Sequence, residues 1–84
     1  MKISFDLAKD AANVEKHGVS MALAQAIDWR EVLCTPDTRA DYGELREIGF
    51  ALIGDRLYVV VFVQRGDVMR IISLRKANSR EVKL

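Results

Sequence analysis

His17 is the only histidine of the sequence, and the only side chain whose ordinary pKa lies near neutrality. Lys9, Asn13, Lys16 and His17 stand at offsets of zero, four, seven and eight residues, which places them on one face of an α-helix. At the C-terminal end of such a helix the dipole favours a protonated imidazole, so His17 could act as a general acid or clamp a phosphate. Lys9 and Lys16 would extend that position into a cationic patch for a phosphate backbone. Plainer readings stay open: His17 can cap the last helical carbonyls before Gly18, and a lysine face can be merely solvated.

A second set of candidates lies in the C-terminal half. Glu44 and Arg46, two residues apart on an expected strand, would share a face and form either an acid–base and phosphate pair or a surface ion pair. Arg70 and Arg75 are five apart, so an unbroken strand sends them to opposite faces. Both reach one site only if Arg75 lies at or beyond the strand end. Arginine suits phosphate because its planar fork donates to two oxygens at once. Ser73 shares the face of Met69 and Ile71 in this reading, and packs there.

The charge distribution is asymmetric. Residues 1–42 carry five Lys/Arg against seven Asp/Glu, and residues 43–84 carry eight against five. Near the end Arg70, Arg75, Lys76, Arg80 and Lys83 face only Glu81. Such an end would bind phosphate or an acidic protein surface, or be balanced elsewhere in the fold. One histidine, one cysteine and scattered acids lack metal-ligand spacing, and Cys34 has no second cysteine to pair with. Phe5, Trp29, Phe50 and Phe62 read as core, while Tyr42, in a loop, could stack on a base.

The elements that must position these residues read as one α+β domain over residues 1–84. Ile3 to Asp6 is a short edge strand, and Asp6 caps a helix over 7–17 that turns Ala8, Ala11, Ala12 and Val14 to one side. Ser20 caps a second helix over about 21–30, with Met21, Ala24 and Ile27 as its buried stripe. A loop containing Pro36, Asp37 and Gly43 follows. Leu45–Ile53, Arg56–Gln64 and Val68–Leu74 form a three-stranded antiparallel meander, turning at Gly54-Asp55 and at Arg65-Gly66-Asp67. Asn78 or Ser79 caps a short last helix. The longest apolar stretch, Leu57 to Val63, is seven residues, far short of a membrane span. The N-terminus has no signal-peptide pattern. A cytoplasmic protein without membrane contact is expected.

Three segments carry a family resemblance: Phe5-Asp6-Leu7-Ala8-Lys9 running through Asn13 to Lys16-His17-Gly18-Val19-Ser20; Asp41-Tyr42-Gly43-Glu44-Leu45-Arg46 leading to Ile48-Gly49 and Gly54-Asp55-Arg56-Leu57; and Arg70-Ile71-Ile72-Ser73-Leu74-Arg75-Lys76-Ala77 with Arg80-Glu81. In order and spacing the chain resembles the BrnT family over nearly its whole length, with Phe5 where that family usually has Trp. The resemblance implies a RelE-like toxin domain that cleaves RNA (mRNA) without metal or cofactor, inhibits translation and arrests growth. It also implies a cognate ribbon-helix-helix antitoxin that neutralises the toxin and represses the shared operon. Operator DNA would then be reached only through the antitoxin.

Metal-free cleavage requires the 2′-hydroxyl to attack the neighbouring phosphorus, with a base, an acid and cations for the phosphorane. One histidine excludes a two-histidine pair and leaves Lys, Glu and Arg in mixed roles. The expected site is therefore catalytic His17, Glu44, Arg46 and Arg70, with Lys9, Lys16, Arg75 and Lys76 binding RNA. The alternative is a non-catalytic RNA- or antitoxin-binding module with the toxin fold, favoured by the short tail after Glu81.

Overall fold

Asp6 separates the first strand, β1 (Lys2–Ser4), from the first helix, α1 (Leu7–His17), in the computed structural model, which describes residues 1–83. Its carboxylate accepts from the Lys9 amide at 3.0 Å, and Gly18 closes the helix by donating to the Val14 carbonyl at 2.7 Å. The buried face of α1 is not the alanine face. Ala8, Ala11 and Ala12 are exposed, as is Val14, and Asn13 is the buried residue. Its Nδ2 donates to the carbonyls of Val19 (2.7 Å) and Leu74 (2.8 Å), and its Oδ1 accepts from the Leu74 amide at 3.2 Å. The helix lies along a strand edge whose backbone groups need partners, and an amide supplies them where alanine cannot.

Met21, Ala24 and Ile27 are buried as expected, but Met21 and Ala24 lie on a 3-10 helix (Met21–Ala26), not an α-helix, with the extended Ile27 closing it and a 3-10 turn (Trp29–Glu31) following. The three-residue spacing is compatible with this helix, since residues three apart eclipse on a helix of three residues per turn. Asp10 of α1 pins its start, accepting from the Met21 amide at 2.6 Å and from Ser20 Oγ at 3.0 Å.

The expected meander exists as β3 (Glu47–Ile53), β4 (Arg56–Arg65) and β5 (Val68–Lys76), but inside a mixed five-stranded sheet. Beyond β3 lies β2 (Leu33–Pro36), which the sequence reads as loop, and the sheet order is β1-β5-β4-β3-β2. Only β1 pairs in parallel, Lys2–Ser4 against Val68–Arg70. All residues of β2 are exposed, so it carries no inside–outside alternation to betray it. Gly54-Asp55 and Gly66-Asp67 turn the two hairpins, with positive φ at the glycine alone (64° and 62°), as a type II′ turn requires. Asn78 caps α2 (Ser79–Val82) in a reciprocal box: its side chain accepts from the Glu81 amide at 2.8 Å, and Glu81 accepts from the Asn78 amide at 2.9 Å.

One face of the sheet, with Ala51, Tyr58, Val60, Phe62, Met69, Ile71 and Leu74, packs under Val19, Met21, Ala24 and Ile27. Trp29 meets Phe62 edge-on at 4.9 Å between centroids, and Phe5 is partly buried there. Phe50 does not join this core. Gly49 and Ala51 point inward, so Ile48 and Phe50 face the other way.

A β-bulge decides what else faces that second side. Phe62 pairs with Ile71 but Val61 pairs with Ser73, which leaves Ile72 as an extra residue in β5. Val63, Val61 and Val59 share the second face, and so do their partners Arg70, Ser73 and Arg75. Two expectations change as a result. Ser73 leaves the Met69/Ile71 face, and Arg70 and Arg75 lie on one face although five residues apart.

Candidate functional site

On the second face of the sheet the floor is apolar and the rim is charged. Val59 and Val61 of β4, with Ile48 and Phe50 of β3, floor a cleft of about 560 Å³. Lys16 and His17 of α1, Ser73 and Arg75 of β5 and Glu81 of α2 stand on one side, with Thr35 of β2 and Arg39 of the following loop lining the rest.

Arg75 and Glu81 form a two-point ion pair, Nη1–Oε1 and Nη2–Oε2 both at 2.8 Å. The capping box of α2 delivers Glu81 to this position. The pair, together with the Asn78 amide, holds the Glu81 carboxyl at about 2. Nη1 also donates to the Lys76 carbonyl at 3.4 Å. Of the five donors of the guanidinium, Nε–H and the second N–H of Nη2 therefore have no partner among the described residues. Those two form the side edge of the fork, which suits a second anion.

Arg39 reaches the cleft from the other side. Asp37, its side chain fully buried, accepts from Arg39 Nε and Nη2, both at 2.8 Å, and its carboxyl is held at about 2, chiefly by this guanidinium. The Arg39 charge works against that of Arg75. Two cations held near one another by separate carboxylates leave a place that an anion would relieve.

His17 is half-buried in the same cleft. Burial, then the cations Lys16 and Arg75, lower its pKa from the ordinary histidine value. These effects act in the opposite direction to the helix dipole, which favours the protonated form. A neutral imidazole is suited to accept a proton.

A family model described as the ribonuclease toxin BrnT of type II toxin–antitoxin systems matches residues 5–81. The chain belongs to the BrnT family. Membership makes it a ribonuclease toxin, with RNA as its substrate and an antitoxin protein as its partner. No curated protein matches the sequence significantly. Among the described residues, no helix of this BrnT chain is long and apolar enough to cross a membrane.

Of the site residues expected from the BrnT motifs, the cleft gathers Lys16, His17 and Arg75. The others lie elsewhere. Glu44 bonds Arg65 at 3.1 Å and does not share a strand face with Arg46, because β3 begins only at Glu47. Arg46 lies 4.0 Å above the Tyr42 ring, which occupies the tyrosine expected to stack a base, and its buried Nε has no partner among the described residues. Arg70 is on the cleft face but farther along β5, where its charge lowers the Asp6 carboxyl behind larger effects of the Lys9 and Ala8 amides. Lys9 is exposed two turns before Lys16, and Lys76, paired with Tyr58, is exposed on the opposite face. Sequence reading missed Arg39, Thr35, Phe50 and Glu81 as cleft residues. Only Glu81 had a local signal, the Asn78-x-x-Glu81 capping box.

Proposed function

We propose that this cleft is the ribonuclease centre and cleaves RNA through the substrate's own 2′-hydroxyl, without a metal. The observation that carries the reading is the Arg75 fork, held end-on by Glu81 with no partner on its Nε edge among the described residues, beside an imidazole whose neutral form is favoured. In this mechanism His17 takes the proton of the 2′-hydroxyl as its oxygen bonds to phosphorus. The bond from phosphorus to the 5′-oxygen breaks, and Lys16 gives that oxygen a proton. Arg75 and Arg39 stabilise the charge of the phosphorane, supplying the positive field a metal would otherwise provide. The products are a 2′,3′-cyclic phosphate and a 5′-hydroxyl. Arg70, on the same face, and Lys9, along the same edge, hold the RNA backbone beyond the cut.

Cutting mRNA in the cytoplasm inhibits translation and arrests growth. The antitoxin that prevents this is of the ribbon-helix-helix type and carries the pair to operator DNA. Incubating the purified chain with RNA and EDTA tests the chemistry. Cleavage is expected to persist in the chelator and to stop when the nucleotide 5′ to the cut carries a 2′-deoxy sugar. Full activity on the 2′-deoxy substrate overturns the mechanism.

A further inference from the structure

We infer that the β3 side of the cleft is a nucleobase subsite, in which Phe50 stacks the base of the nucleotide whose phosphate Arg75 holds, and Thr35 contacts that base's edge. The inference rests on the reading of the cleft as the ribonuclease centre.

Phe50 is a large aromatic side chain placed off the core. It is half-buried on the second face, while the core aromatics Phe62 and Trp29 pack together on the first. Strand register puts it in one transverse row with the anion site. Leu33 pairs with Phe50, Phe50 with Val59, and Val59 with Arg75. Directly paired residues point to the same side, so Arg75 and Phe50 stand over the same floor two strand spacings apart, roughly 10 Å. Val59 between them is short, apolar and buried, and Ile48 and Val61 of the next row are apolar too. That floor would reject a second phosphate and accept a flat ring.

The charges therefore orient a nucleotide one way, phosphate toward Arg75, Lys16 and His17, base toward Phe50. At the outer end Leu33 is 76% exposed and continues the apolar row. Thr35, paired with Ile48, places a hydroxyl at the rim of the same cleft, and a hydroxyl can donate to or accept from a base edge. Stacking on one aromatic ring needs an unstacked base, so the substrate is single-stranded RNA.

The test uses the full chain and two probes, inorganic phosphate and the four nucleoside 3′-monophosphates. Wild-type protein is expected to bind at least one nucleotide more tightly than inorganic phosphate. Phe50→Ala and Phe50→Leu should weaken nucleotide binding about tenfold with phosphate binding unchanged, and Phe50→Trp should restore it. Phe50→Leu keeps an apolar side chain on the floor, so it reports on stacking if Phe50→Ala fails to fold. Thr35→Val should change the preference among the four bases. Equal wild-type affinity for phosphate and nucleotides, or nucleotide affinity unchanged in Phe50→Leu, overturns the base subsite. Phosphate binding that survives Arg75→Ala would instead count against the parent reading of the cleft, so the two failures are separable.

Discussion

The side chain of Asn13 pairs with the backbone of Leu74 as a neighbouring strand would, donating to its carbonyl at 2.8 Å and accepting from its amide at 3.2 Å. Because β1 covers only Val68–Arg70 of β5, this amide closes the edge that β1 leaves open. It also sets the C-terminal turn of α1 beside the end of β5, which is how Lys16 and His17 come to line the same cleft as Arg75.

Asn13→Ala would leave both backbone groups of Leu74 and the Val19 carbonyl without their partner. Each unsatisfied buried group costs about 1–3 kcal/mol. Three such groups amount to at least roughly 3 kcal/mol, which should lower the melting temperature of a domain this size by about 12–24 °C or more. Asn13→Asp, which sets an acceptor against two carbonyls, should do no better. A melting temperature within a degree or two of wild type would show that the pairing does not hold the edge.

Glu81 should reveal itself in acid. Its folded pKa is about 2 against an ordinary 4.5, a depressed value. Its contribution to stability is therefore complete above the ordinary value and is lost as pH falls toward 2. Melting temperature followed over that window should fall more steeply for wild type than for Glu81→Gln. Near neutrality the same variant should lose cleavage rate beyond its loss of stability, because Arg75 is no longer held. Parallel melting curves for the two proteins would refute the ion pair's role.

The rate of cleavage should fall as pH drops through a midpoint below the ordinary histidine value of 6.5, since a base works only unprotonated. His17→Gln should abolish that limb with little change in melting temperature. Lys16→Ala should move the residual activity's midpoint upward, because the Lys16 charge is one of the causes of the depression. A limb of opposite sign, with activity lost as pH rises through this pKa, would make His17 an acid.

The three arginines should separate. Arg75→Ala should cost about a hundredfold or more in cleavage rate. Arg70→Ala should weaken RNA binding and flatten its salt dependence while leaving the chemical step in place. Arg46→Ala should act on stability, by about 0.5–1 kcal/mol from the lost contact with Tyr42, with the rate per folded molecule preserved. Single-turnover kinetics beside thermal melts distinguishes the three, and an Arg46→Ala rate loss as large as that of Arg75→Ala would move the centre away from this cleft.

Several features that depend on neighbours a few residues away were already legible in the chain. The Asp6 and Asn78 caps, the glycine turns of both hairpins, the buried line of Met21, Ala24 and Ile27 and the motif blocks of the family are all of this kind. The candidate site was legible only in part, as Lys16, His17 and Arg75, because its assembly depends on partners far along the chain. The extra residue at Ile72 turns Ser73 and Arg75 to the face of Arg70 only once β4 supplies a register to slip against. Asn13 becomes the buried residue of α1 only because Leu74, 61 positions on, presents an open strand edge. The fully exposed β2 is a strand only because β3 pairs with it. The neutral bias of His17 needs the burial and the Arg75 charge that folding brings. Caps, turns and spacing are short-range and belong to the sequence, whereas register and desolvation are properties of packed neighbours and exist only in the tertiary structure.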